Sequence, residues 1–255
     1  MTTSTTFWDA LDLDSASPPV VAIVGGGGKT SLLFRLGREA RERGRSAVLT
    51  GTTRFTTPPP LSDGIERIVW HAADAAERLE RSIALGEVAI VHDGSERQAR
   101  WAPLDPETVD AIATTHGLGL LAVEADGSKM RPFKAPAEHE PVIPRSATHV
   151  AAVVGVQVLN APLVDANVHR AEQIRSIVGD EERVTAEVVA RVMADERGAR
   201  KAIGDRAFSV IVNQADIDPS SALHLAEVIR ASGVKRVIVA SLRDATAPIR
   251  KVISE

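Results

Sequence analysis

The stretch VVAIVGGGGKTSLLFRL, Val20 to Leu36, decides the reading of the fold. A β-branched apolar run empties into Gly25, Gly26, Gly27 and Gly28, and behind them Leu32, Leu33, Leu36 and Ala40 recur at helical spacing up to Gly44. Strand, glycine turn and helix in that order make an anion cradle. Without Cβ atoms the turn's amides face inward, and the helix start adds positive potential. The common pattern G-x-x-x-x-G-K-[ST] is not met, because Ile23 stands where its first glycine belongs. The shorter G-x-x-G-K-T spacing, counted from Gly25, is met. It would place Lys29 on the β- and γ-phosphates and the Thr30 hydroxyl on Mg²⁺, with Ser31 beside them. A glycine turn of purely structural use is the competing reading.

Working outward, apolar runs recur at Ser46 to Leu49, Arg67 to Trp70, Glu87 to Val91, Leu118 to Val123, His149 to Val154, Phe208 to Val212 and Arg236 to Ala240. Continuous runs of this kind suit strands covered on both faces. Helical patterns lie between them: Ala72 to Leu85, the stretch capped by Asp105-Pro106-Glu107, Val168 to Val178, Thr185 to Glu196 and Ser220 to Ala231. The alternation predicts an α/β fold, a doubly wound, mostly parallel sheet of the P-loop NTPase type. Residues 1–17 are expected to be a flexible segment ahead of a single nucleotide-binding domain over 18–255. Proline clusters at Thr57 to Pro60 and Arg131 to Pro144 read as shaped loops. VAIVHDGSERQAR, Val88 to Arg100, echoes LLAVEADGSKMR, Leu120 to Arg131.

Composition narrows the function. The 255 residues are 44% hydrophobic and 25% charged, ordinary for a globular chain, with a net charge of −4 and 3% aromatics. That balance disfavours nucleic-acid binding. No window approaches the roughly 18 apolar residues of a membrane span, and the start lacks a signal peptide's pattern, so a cytoplasmic location is expected. There is no cysteine, which removes thiolate metal sites and thiol chemistry.

A phosphate loop needs an acid at a nearby strand end to hold Mg²⁺. Glu124 and Asp126 in AVEADGS fit best and Asp93 is the second candidate, although Asp-Gly is also turn chemistry. VIVNQAD, Val210 to Asp216, resembles the Asn-Lys-x-Asp guanine motif of GTPases, with Gln214 in place of the lysine. Asn213 would brace the loop and Asp216 would accept from guanine; an Asx-turn is the alternative. Thr52, Thr53 and Arg54 read either as a ligand-contacting loop or as a simple turn. In KMRPFKAPAEHEPVIP, Lys129 to Pro144, the basic Lys129, Arg131 and Lys134 suit an anionic substrate, while His139 between Glu138 and Glu140 lacks diagnostic metal spacing. His169-Arg170 reads as a cap or a surface pair.

Taken together, VGGGGKTSL, GTTRFTTPP, VEADGSKMRPFKAPAEHEPVIP and VVGVQVLNAPL with VHR resemble the YqeC-like family, described as accessory proteins of selenium-dependent molybdenum hydroxylases. The resemblance runs from about Val20 to Asp216. It implies a maturation factor for a molybdenum hydroxylase, partnered by that enzyme or its cofactor-assembly proteins, that binds GTP or ATP with Mg²⁺ through Gly25, Gly28, Lys29 and Thr30. It also marks Glu124, Asp126, Lys129, Lys134, Glu138, Glu140, His169 and Arg170 as signature positions. NTP hydrolysis, with Lys29, Glu124 and Asp126 as the catalytic group, is the leading expectation. An ATP-dependent ligase or kinase for a small anion, or a nucleotide-gated binding module without turnover, stays open.

Overall fold

The structure, a computed structural model, describes residues 5–56, 65–94, 96–97 and 100–254. The proline run Thr57 to Pro60 and parts of the Val88 to Arg100 echo lie outside them. Strands are β1 (Val20–Gly25), β2 (Ala47–Gly51), β3 (Phe55–Thr56), β4 (Ile65–Val69), β5 (Val88–His92), β6 (Glu96–Arg97), β7 (Arg100–Trp101), β8 (Leu121–Glu124), β9 (His149–Gly155), β10 (Ala207–Asn213), β11 (Val237–Ala240) and β12 (Ile249–Ile253). Helices are α1 (Phe7–Ala10), α2 (Lys29–Glu42), α3 (Ala75–Ala84), α4 (Pro106–Ala113), α5 (Ala171–Val178), α6 (Ala186–Ala194) and α7 (Pro219–Ala231).

One nine-stranded sheet runs β12-β11-β10-β9-β1-β8-β2-β5-β4. Its neighbours pair in parallel except β11 with β12. The inner strands are buried along their whole length, as their apolar runs require, except for the first two residues of β10, whereas the edge strands β4 and β12 are partly exposed. Alternate residues of β1 feed two cores. Val20, Ala22 and Val24 pack with the apolar faces of α3 to α7. Val21 and Ile23 pack with α1 and α2. Helices therefore cover both faces, and the predicted doubly wound, mostly parallel sheet is the observed one. Full burial of each Val or Ile in these layers contributes about 1.5–3 kcal/mol.

The sheet sets the position of the site. β1 lies between β8 and β9, so the chain order reverses across it, and open α/β sheets bind ligands beyond the carboxyl ends of the strands at such a point. The glycine run sits there.

The N-terminus departs from expectation. Thr6 caps α1 in a capping box with Asp9, and Phe7, Trp8, Leu11 and Leu13 are buried in the α2 layer. Glu39 of α2 accepts from the Trp8 amide at 2.9 Å. The Thr/Ser/Asp-rich composition of residues 1–17 suggests a flexible tail, but the apolar side chains among them decide the outcome by covering α2. A second sheet, β3-β7-β6, also escapes the sequence reading because its strands are two residues long. Trp101 there meets Phe55 edge-on, with centroids 5.4 Å apart, and stacks on His92 at 4.6 Å. Among the described residues no helix is long and apolar enough to cross a membrane.

Candidate functional site

The glycine run is shaped by the strands beside it. Gly25 pairs with Val153 of β9, and a Cβ on Gly25 would fall 2.3 Å from the Val153 carbonyl oxygen, at a φ of +91°. At the other end Gly28 has φ +148°, and a Cβ there would lie 2.4 Å from Asn213 Nδ2. No side chain caps α2, and its first main-chain bond runs from the Leu32 amide to the Gly28 carbonyl at 2.9 Å. The amides of Lys29, Thr30 and Ser31 are therefore left without intrahelical acceptors at the positive end of the helix.

Lys29 folds back over this turn. Its ammonium, on a residue 4% exposed, donates to the Gly25 carbonyl at 2.8 Å and lies 3.3 Å from Asp126 Oδ1 and 3.7 Å from Glu124 Oε1. The Thr30 hydroxyl donates to Glu124 Oε2 at 2.9 Å. Both acids arrive from β8: Glu124 ends the strand opposite Ile23, and Asp126 follows two residues later. Asp126 Oδ2 accepts from the Gly25 amide at 3.0 Å, whereas its Oδ1 is buried and accepts no hydrogen bond. Burial pushes the Glu124 carboxyl above the usual carboxylate range, against the pull of Lys29 and Thr30.

Charges continue inward from Asp126. Lys134 places its ammonium 3.0 Å from Asp126 Oδ2, 2.5 Å from Glu140 Oε2 and 2.7 Å from the Gly127 carbonyl. Arg170, left-handed at φ 67° where α5 begins, grips Glu140 with two bonds of 2.6 and 3.1 Å. Lys29, Lys134 and Arg170 thus alternate with Glu124, Asp126 and Glu140. This corrects one expectation: Lys134, 3% exposed, is consumed by internal ion pairs and offers nothing to a soluble anion. Arg170 is likewise a partner of Glu140 rather than a surface residue, and its neighbour His169 forms an isolated parallel β-bridge with Lys134.

These ion pairs fix the acid limb of stability. Burial opposes ionisation of Glu140, but hydrogen bonds from Arg170 and Lys134 outweigh it and hold the carboxyl down to about 2. Burial, with Arg170, Lys134 and Lys129 nearby, lowers His169 to about 4. Glu140 contributes stability that is present above its ordinary value of 4.5 and lost as pH falls toward about 2. Neutral His169 contributes stability present above 6.5 and lost as pH falls toward about 4. Urea unfolding followed from pH 7 to pH 4 should show a steady loss, and His169→Asn should flatten it. An unchanged slope in that variant would remove His169 from the account.

Other sequence candidates fall elsewhere. Asp93 follows β5, is separated from β8 by β2, and pairs with His71 at 2.6 Å, so it is no second acid for the glycine loop. The Thr52 hydroxyl donates to the Val142 carbonyl at 2.6 Å and that of Thr53 to the Glu124 carbonyl at 3.5 Å, which supports the turn reading. Glu138 and His139 are exposed, and no trio of His, Cys, Asp or Glu capable of holding a metal occurs among the described residues. Asn213 does reach the loop: its Nδ2 donates to the Gly27 carbonyl at 2.7 Å. Asp216 lies in the exposed turn beyond.

The profile of the family described as YqeC protein matches residues 21–172, more than half of the chain, and takes in β1, the glycine loop and every member of the charge chain. The chain belongs to the YqeC family. A relative from Escherichia coli (strain K12), itself named YqeC with no function in its name, is 36% identical over 162 residues. That alignment covers 64% of this chain and 61% of the relative, so the match spans about three fifths of the relative's length. The YqeC profile stops before β10, and Asn213 and Asp216 therefore lie outside the matched residues.

Proposed function

We propose that this member of the YqeC family binds a nucleoside triphosphate, GTP or ATP, with Mg²⁺ at the glycine loop, hydrolyses it slowly, and serves as an accessory factor in maturing a molybdenum hydroxylase. The observation that carries the nucleotide reading is Lys29, poised over the Gly25 carbonyl between two buried acids at the uncapped start of α2. An ammonium in that position exchanges its carboxylate partners for phosphate oxygens by a small side-chain movement, while the free amides of the helix start receive the anion.

The donor set fits Mg²⁺. Asp126 Oδ1 is a buried oxygen lacking a hydrogen bond, and Glu124, beside the same ammonium, accepts from the Thr30 hydroxyl. Mg²⁺ is held by one or two carboxylates together with substrate phosphates, so a full protein cage is not required. Bound there, the ion would neutralise charge on the transferred phosphoryl group. Lys29 would orient the phosphates and Asp126 would hold the loop through the Gly25 amide. The maturation role rests on YqeC family membership, with a molybdenum hydroxylase or its cofactor-assembly proteins as partner. Turnover that waits for the partner to complete the site accords with a group that mainly positions and neutralises.

Calorimetric titration with GTP and ATP, with and without Mg²⁺, tests this. Binding that Mg²⁺ strengthens is expected, and Glu124→Gln should cut the Mg²⁺ effect by at least about tenfold while sparing metal-free affinity. Absence of heat with either nucleotide up to about 1 mM would overturn the reading. Binding without any phosphate release, even with partner present, would leave a gated binding module and remove the hydrolase.

A further inference from the structure

Asn213 spends both ends of its side chain. Beyond donating to the Gly27 carbonyl at 2.7 Å, it accepts from the Leu242 amide at 2.9 Å. One buried amide thereby ties together the glycine loop, the turn after β10 and the loop after β11. That last loop is gripped from α2 as well, since Arg35 donates to the carbonyls of Leu242, at 3.4 Å, and Asp244. It is also closed on itself: the Asp244 carboxylate accepts from the Thr246 and Ala247 amides at 2.9 and 3.1 Å and pairs with Arg250 at 2.8 Å.

The turn after β10 is equally defined and carries unspent groups. The Ala215 amide donates to the Ala240 carbonyl at 3.0 Å and that of Ile217 to the Gln214 carbonyl at 2.9 Å. Gln214 is left-handed at φ 68°, and its side-chain oxygen is buried beside Gly155 with no partner. Asp216 in the same turn is exposed, and no hydrogen bond or ion pair engages its carboxylate among the described residues.

We propose that the turn 213–217 and the loop 241–247 form a base site beside the phosphate loop, and that Asp216 selects guanine over adenine. The inference rests on the triphosphate reading and adds its base. A carboxylate only accepts, and guanine presents N1–H and the 2-amino group as adjacent donors on one edge. Adenine offers an acceptor and a C–H there. A site built to pair with donors rejects a ligand that lacks them by about 100-fold or more. Asn213 and Arg35 supply the fixed spacing between base site and phosphate loop.

The full chain titrated with GTP, ATP and xanthosine 5′-triphosphate decides it. The wild type is expected to hold GTP at least about 100-fold more tightly than ATP. Asp216→Asn should lose that preference and gain xanthosine triphosphate, whose 2-carbonyl accepts from the new amide. Since Asp216 is exposed, the variant keeps the fold. Equal affinity of the wild type for GTP and ATP, or an unchanged ratio in Asp216→Asn, would overturn the base assignment and leave the triphosphate reading intact. Failure of all three nucleotides to bind would overturn both.

Discussion

Lys29→Ala is expected to lower affinity for GTP and ATP alike by at least about 100-fold, because on the proposed reading Lys29 would make two charge-assisted bonds to phosphate, each worth about 1.5–3 kcal/mol. The same change should destabilise the protein before any ligand is added. Lys29 is buried between Glu124 and Asp126, and removing one partner of a buried ion group costs about 3–5 kcal/mol. Part of that cost is recovered when Glu124 takes a proton, since burial already raises its pKa. A raised carboxyl favours the folded state below the unfolded value of 4.5 and loses that advantage as pH rises through the folded value. The deficit of Lys29→Ala should therefore grow from pH 5 to pH 8. Mg²⁺ should raise the variant's melting temperature more than the wild type's, because the ammonium between the buried Glu124 and Asp126 is gone. Calorimetry and chemical denaturation at the two pH values read both effects. Undiminished nucleotide affinity in the variant would place the phosphate site elsewhere.

Lys134→Met should be the most destabilising single change in the charge chain without touching a ligand. The ammonium satisfies Asp126 Oδ2, Glu140 Oε2 and the Gly127 carbonyl, so its loss leaves two buried acids with one cation each, Asp126 with Lys29 and Glu140 with Arg170. A cost of about 3–5 kcal/mol is expected, or roughly 10 °C in melting temperature for a chain of this size. Combining it with Glu140→Gln should cost clearly less than the sum of the single changes, because the second substitution removes one of the charges stranded by the first. Strict additivity, or a single-variant loss below about 1 kcal/mol, would show that the ion pairs are solvated in the folded protein.

Much of the architecture was readable because parallel strands covered on both faces leave continuous apolar runs, and the eight runs read as strands are eight of the nine strands of the large sheet. β12 was not, since IRKVI carries two charges and pairs antiparallel at an edge. In the site, Glu124 and Asp126 were legible from their place after an apolar run and Asn213 from its spacing to Asp216. The burial of Lys134 was not legible. A lysine among prolines reads as solvated until Glu140 and Arg170, the latter 36 residues further on by its number, are folded against it. The Asn213 bond to Leu242 likewise depends on β11 lying next to β10, a fact of topology rather than of local pattern.

A single oxygen, Asp126 Oδ2, accepts from the Gly25 amide and pairs with the Lys134 ammonium 3.0 Å away. A shift of either partner unsettles the other. The head of α2 and the start of α5, joined through Lys134, Glu140 and Arg170, are consequently expected to open together rather than to fray one at a time.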